Sequence, residues 1–275
     1  MVLELSPDAF TRLSRQVNKG FRIVLVERHR PLVAGRLSRY VRTLGYERFE
    51  DYLDYVETDR AGSALSELVN RLSATQAEFN REPMHFEYFQ KTLLPAMDLM
   101  PERGGNRLQV WVAGCACGEE PWMLAICLAE HYGALVHQRA SILATDISAV
   151  ALAHALEGVY SDETVARLPE HWRREYFDAV GDRAWRVKDR LRGLVLFRRL
   201  NLNRSTYPIR APMDAIFCRS VMLYYDQASR EELAGRLHQS LRPGGCLFVG
   251  QGESLHAGTR FECVLPAVYR RRNFA

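Results

Sequence analysis

From residue 108 onward, short apolar runs alternate with helix-length stretches, and this alternation limits the chain to an α/β architecture. Strand-like LQVWVAG (Leu108 to Gly114) meets a glycine-containing turn and then a helix from Glu119 to His131. SILATD (Ser141 to Asp146) predicts a second strand with a helix from Ser148 to Leu156, and MDAIFCRS (Met213 to Ser220) a third. GCLFVG (Gly245 to Gly250) predicts a fourth, preceded by a long helix from Gln227 to Leu241. Strands separated by helices of this length argue for a parallel, doubly wound sheet covered on both faces. Roughly sixty residues separate the second and third strands; they include the basic, β-rich WRVKDRLRGLVLF, which predicts a small inserted β element.

The first 75 residues read differently, as a run of short helices. Ser6-Pro7 offers an N-cap followed by proline at the first helical position. A helix from about Pro31 to Leu44 carries Leu32, Val33, Leu37, Tyr40, Val41 and Leu44 at helical spacing, and Gly45 closes it. Further helices are expected at Phe49 to Glu57 and Ala64 to Leu72. Pro83, Pro95, Pro101 and Gly104-Gly105 then punctuate what reads as a linker carrying one helix. The expected division is a helical domain over 1–75, a linker over 76–106 and an α/β domain over 107–275, with the inserted β subdomain at 158–197.

Charge is unevenly placed. Between Arg12 and Arg48 stand ten basic residues against two acidic ones, a net of +8, although the whole chain carries only +4. Such a window suits an acidic partner, or else is a solvated helix face. Arg36, Arg39 and Arg42 recur every third residue beside the apolar stripe and are expected to share one exposed face. The longest run free of polar residues and glycine, Trp122 to Ala129, is far too short to span a membrane, and the first twenty residues lack a signal core. A cytoplasmic location is expected. The six cysteines fit a reduced, buried state, and Cys115 and Cys117 have no further ligands at metal spacing, so no metal is expected.

In an open α/β sheet the ligand sits beyond the carboxyl ends of the first strands, where a glycine turn lets the backbone approach it. Gly114 and Gly118 flank such a turn, and Asp146 ends the second strand, where a carboxylate accepts hydrogen bonds from ribose hydroxyls. The turn lacks full G-x-G-x-x-G spacing. Acidic Glu119-Glu120 at a helix N-terminus would also repel a pyrophosphate. A cofactor with ribose and adenine but no phosphate fits better, and S-adenosylmethionine is the obvious one.

Over essentially its full length the chain resembles the CheR family of chemotaxis-receptor methyltransferases. VWVAGCACGEEPWMLAICLAE resembles the family's first cofactor segment and ILATDISAVALAHALEGVYS its second-strand segment. Asn201 to Asn203 with MDAIFCRSVMLYY resembles the third, and LRPGGCLFVGQGESL the closing strand and turn. The resemblance implies a small N-terminal helical bundle, a Rossmann-like class I S-adenosylmethionine-dependent methyltransferase domain and an inserted antiparallel β subdomain. It implies methyl transfer from S-adenosylmethionine to glutamate side chains of methyl-accepting receptors, leaving S-adenosylhomocysteine. Carried over by position, Glu119 and Asp146 match the cofactor carboxylates, Asn201 and Leu202 the adenine-side pair, and Arg219 and Ser220 the pair ending the third strand. Arg81 and Tyr224 match residues that would position the substrate carboxylate and the cofactor.

The family's linker motif resembles T-N-x-T-x-F-F-R, whereas this chain reads Ala74-Thr75-Gln76-Ala77-Glu78-Phe79-Asn80-Arg81. Thr75 and Ala77 replace cofactor-contacting Asn and Thr. Ala116-Cys117 replaces Ser-Thr in the glycine turn, and Ser220 stands for the usual Asn. Each change removes a hydrogen-bonding group, about 0.5–1.5 kcal/mol apiece without compensation. Three readings follow: an active receptor methyltransferase docking acidic receptor helices through Arg36, Arg39 and Arg42; a degenerate relative serving as a binding or regulatory module; and a nucleic-acid methyltransferase. The last is disfavoured because the basic helix lacks interleaved aromatics for stacking. In the inserted segment Arg186, Lys188, Arg190 and Arg192 could meet the carboxylate of a receptor's C-terminal peptide, and alternating charge equally protects an edge strand.

Overall fold

The computed structural model describes residues 2–21, 23–59, 63–73, 78–100, 107–209, 212–222, 225–255 and 260–272. The chain divides into two compact units, residues 1–75 with 221–232, and residues 76–220 with 233–275.

The first unit is helical. Its helices span Pro7–Phe21, Arg30–Thr43, Phe49–Thr58 and Ser63–Ser73. Ser6 caps the first of them, its Oγ accepting from the Ala9 amide at 3.2 Å while donating to Glu50 at 2.7 Å. Leu13, Val17, Leu37, Val41, Phe49, Tyr52 and Leu53 are fully or almost fully buried in one core. Gly45, at φ +87°, closes the second helix by donating to the Arg42 carbonyl at 2.9 Å.

The second unit carries a seven-stranded sheet in the order β6-β2-β1-β7-β8-β10-β9. Its strands are β1 (Leu108–Ala113), β2 (Ala140–Asp146), β6 (Val195–Arg199), β7 (Met213–Cys218), β8 (Leu241–Val249), β9 (Phe261–Leu265) and β10 (Val268–Arg271). The first five pair in parallel, and β10 runs antiparallel between β8 and β9. Parallel strands are buried on both faces, and every residue of β7 is buried accordingly. The helix Glu119–Tyr132 packs on β2 and β6, and the helix Ala149–Glu157 on the same two strands. Growth of the sheet reverses between β1 and β7, which puts the switch-point crevice beyond Ala113 and Cys218.

Two expectations change. Inserted strands β3 (Val159–Ser161), β4 (Phe177–Val180) and β5 (Ala184–Val187) do form a separate antiparallel sheet, ordered β3-β5-β4. Val195 to Phe197, expected as the end of that insert, instead belong to a strand, Val195–Arg199, that pairs in parallel with β2 as the edge of the larger sheet. Its burial alternates, with Val195 and Phe197 buried and Leu196 and Arg198 exposed, so its inward face is completed only by the main sheet. The segment expected as a linker also belongs to the larger core. Phe86 stacks on Phe217 at 6.2 Å, Phe89 meets Phe217 edge-on at 5.6 Å, and Phe217 itself stacks on Phe248 at 4.1 Å. Aromatic rings of this size are held by the β7–β8 surface rather than by solvent.

Candidate cofactor site

The turn after β1 is built by main-chain bonds to the end of β2. Gly114 and Cys115 amides both donate to the Thr145 carbonyl, at 2.8 and 3.0 Å. The Ala116 amide donates to Asp146 Oδ2 at 2.9 Å, while Asp146 Oδ1 accepts from the Ser148 amide at 2.8 Å. Ser148, not Asp146, caps the following helix, its Oγ accepting from Ala151 at 3.0 Å. Burial pushes the Asp146 carboxyl above its ordinary range, against the pull of the Ser148 and Ala116 amides. Gly118 at φ +98° starts the helix Glu119–Tyr132, and a Cβ there would lie 2.7 Å from the Ala155 Cβ and 2.8 Å from the Tyr160 hydroxyl. No other residue fits.

Glu119, the first residue of that helix, is only 6% exposed, and its Oε2 is buried without a hydrogen-bond partner. Burial raises its pKa to about 7. An orphaned carboxylate oxygen of this kind is rare in a folded chain and calls for a donor from outside. The ribose hydroxyls or the ammonium group of S-adenosylmethionine are such donors, so the residues present fit this cofactor. Asn201 and Leu202 follow β6, whose end is tied to β2 where the Leu200 amide donates to the Asp146 carbonyl at 2.9 Å. The Asn201 side chain braces its own turn by accepting from the Asn203 amide at 2.9 Å. The Leu202 carbonyl accepts from Tyr207 at 2.7 Å.

Arg219 ends β7 in a nearly dry clamp. Its guanidinium donates to Glu82, to Glu120 and to the Arg81 carbonyl, with the Phe86 ring 5.4 Å away. Arg219 is thus occupied in holding the chain around Arg81 in place. Glu253 completes the rim, its Oε2 accepting from the Ser220 amide at 2.8 Å and the Gly250 amide at 2.7 Å. The Arg81 side chain is exposed and, among the described residues, makes no ion pair. Thr75, Ala77 and Tyr224 lie outside the described residues.

The structure therefore brings Gly114, Glu119, Asp146, Asn201 and Leu202 to one end of the sheet, with Arg219, Ser220 and Arg81 at the neighbouring strand end. Glu82, Glu120 and Glu253 were not expected there. Of these only Glu120 carried a sequence signal, its place in the first turn of the helix. Two departures from the family pattern act through the main chain: Ala116 and Ser220 each donate an amide, and both sit at positive φ, +46° and +61°. Loss of the usual side chains there leaves these bonds standing.

The comparisons with known proteins now bear on this site. The profile described as "CheR methyltransferase, SAM binding domain" matches residues 75–269, and "CheR methyltransferase, all-alpha domain" matches residues 8–73. The chain belongs to the CheR methyltransferase family. It is 31% identical to the chemotaxis protein methyltransferase of Borreliella burgdorferi over 98% of this chain and 96% of that one. It is 33% identical to the chemotaxis protein methyltransferase of Escherichia coli, over 97% and 92% of the two chains. The same identity holds with chemotaxis protein methyltransferase 1 of Pseudomonas aeruginosa, over 85% of each. The fold is that of an S-adenosylmethionine-dependent methyltransferase joined to the CheR all-alpha domain, and S-adenosylmethionine is its cofactor. Among the described residues no helix is long and apolar enough to cross a membrane.

Proposed function

We propose that the protein methylates glutamate side chains on the cytoplasmic helices of methyl-accepting chemotaxis receptors. The observation that carries this reading is the pair of carboxylates, buried Glu119 and half-buried Asp146, at the carboxyl ends of β1 and β2 in a chain of this family. When bound, S-adenosylmethionine supplies a methyl group already activated by its sulfonium. Glu119, with its unpartnered Oε2, takes a hydrogen bond from the cofactor's hydroxyl or ammonium donors, and Asp146 fixes the turn that faces them. A substrate glutamate is ionised near neutral pH, so the chain needs no general base, and its work is alignment and exclusion of water.

Arg81 is suited to that alignment, being an exposed guanidinium whose own carbonyl is anchored by Arg219. Tyr224 is assigned the same positioning role on the resemblance alone. Docking falls to Arg39 and Arg42, both exposed on the helix Arg30–Thr43. Arg36 differs, because its guanidinium donates to the Leu72 carbonyl within the bundle. In the inserted segment, just after β5, Lys188 donates to the Arg174 carbonyl, Arg190 pairs with Glu175, and Arg192 donates to the Leu156 and Glu157 carbonyls. Arg186 is the cation of that group left for a receptor's C-terminal carboxylate.

The test is transfer of labelled methyl to a receptor cytoplasmic fragment, with the wild type and Arg81→Ala compared. Arg81→Ala is expected to bind S-adenosylhomocysteine yet lose at least about tenfold in kcat/KM, which corresponds to about 1.4 kcal/mol of transition-state alignment. Equal rates would remove Arg81 from the site.

A further inference from the structure

The connection from β6 to β7 carries no helix among its described residues, since 200–209 runs as turns and coil. Tyr207 covers Trp111 edge-on at 5.2 Å. Beyond it, Leu143 of β2 and Leu196 of β6 stand side by side in register, and Leu196 is 49% exposed. Period-two alternation puts both on the face opposite Ile142, Ala144, Val195 and Phe197, which are buried. Over the two leucines lies a cavity of about 760 Å³, within the size range of small-ligand sites.

Its charge is one-sided. Arg107, Arg192, Arg198 and Arg199 line it, and among the described residues no aspartate or glutamate does. Arg192 is spent on the end of the helix Ala149–Glu157, donating to the Leu156 and Glu157 carbonyls. Among the described residues the other three meet main-chain carbonyls alone: Arg107 donates to Ala140 at 2.7 Å, Arg198 to Phe197 at 2.8 Å and Arg199 to Ile147 at 3.0 Å. Each guanidinium has five N–H donors in a fork that matches phosphate. Along the same floor Ser141 donates to Gln109 at 2.8 Å, giving the apolar surface a polar edge.

We propose that this cavity is a binding site for a nucleotide, with the base on Leu143 and Leu196, its polar edge toward Gln109 and Ser141, and the phosphate held by Arg198 at the other end of that platform, where Arg198 pairs in register with Thr145. A fatty acyl chain calls for an enclosed apolar tunnel, whereas here arginines and amides share the lining. The site stands apart from the methyl-donor site, although the Thr145 carbonyl that holds the glycine turn belongs to the same strand.

The full chain, saturated with S-adenosylhomocysteine so that the cofactor site is filled, is titrated calorimetrically with GMP, UMP and inorganic phosphate. At least one nucleotide is expected to bind with Kd below about 1 mM and inorganic phosphate at least about tenfold more weakly. Arg198→Glu is expected to weaken the nucleotide at least about tenfold while S-adenosylhomocysteine affinity holds. Should that chain fail to fold, the milder Arg198→Gln gives the same reading. Absence of saturable nucleotide binding overturns the proposal. So does phosphate binding as tightly as the nucleotides, or nucleotide affinity indifferent to Arg198.

Discussion

Arg219 donates from Nε and Nη2 to one carboxylate oxygen of Glu82, at 3.2 and 3.1 Å. Their side chains are 7% and 12% exposed, and Glu120 meets the same guanidinium from another side. Glu82 also accepts from the Gln251 amide at 3.3 Å, so this pair ties the segment carrying Arg81 to the ends of β7 and β8. Removing the cation leaves two buried carboxylates facing one another. Arg219→Met is expected to cost about 3–5 kcal/mol, and Glu82→Gln less because the amide keeps an acceptor. Urea unfolding of the two variants checks this, and equal midpoints for Arg219→Met and the wild type would refute the clamp.

Glu119 gives the protein a pH signature. Burial raises its carboxyl from the ordinary 4.5 to about 7. A group that holds its proton more tightly when folded favours the fold most at low pH, and that contribution is lost as pH rises from about 4.5 through 7. Glu119→Gln removes the titration. Its stability relative to wild type is therefore expected to grow toward alkaline pH by on the order of 3 kcal/mol. S-adenosylhomocysteine affinity should rise across the same window in the wild type and stay flat in the variant. Denaturant midpoints and calorimetry at pH 5, 6, 7 and 8 read both effects.

Much of this site is visible in the sequence because its parts are local. Gly114, Gly118 and Glu119 lie within six residues of one another, and Asp146 ends an apolar run that reads as a strand. What escaped is long-range: Glu82 meets Arg219 137 positions away, and Glu120 meets it 99 away. The edge strand Val195–Arg199 begins inside the basic, β-rich run expected in the insert, and such a run has no local mark of which sheet it joins. Strands β9 and β10 are not legible in the sequence, since Val264-Leu265 and Arg270-Arg271 stand as like pairs and break the period of two. Every third arginine on a helix drifts about 60° around the axis, which carries Arg36 off the face of Arg42 and onto the Leu72 carbonyl.

That drift makes the docking surface testable. Arg39→Glu with Arg42→Glu is expected to leave stability within about 0.5 kcal/mol, because both side chains are exposed. The same pair should lower kcat/KM for a receptor fragment, with the difference shrinking at high salt. Arg36→Glu should instead cost about 1–3 kcal/mol of bundle stability through the lost bond to Leu72. Thermal unfolding and methylation rates across a salt series separate the two classes.

Backbone strain around the site yields a third kind of variant. Ala116→Gly and Ser220→Gly occupy φ of +46° and +61°, where glycine is unstrained, and each is expected to stabilise by about 0.5–1 kcal/mol. Gly118→Ala meets the Ala155 Cβ at 2.7 Å and is expected to destabilise by at least about 2 kcal/mol and to weaken S-adenosylhomocysteine. Opposite signs in the two sets distinguish local strain from general intolerance of the turn.

The most direct measurement is the fate of methyl label after incubation of the protein, labelled S-adenosylmethionine and a receptor cytoplasmic fragment. Transfer to glutamate forms a methyl ester, so mild alkali should release the label as methanol, and mass spectrometry should place it on glutamates of the receptor helices. Saturable cofactor binding with no label on the fragment, or label that withstands alkali as an N-methyl group would, contradicts the assignment.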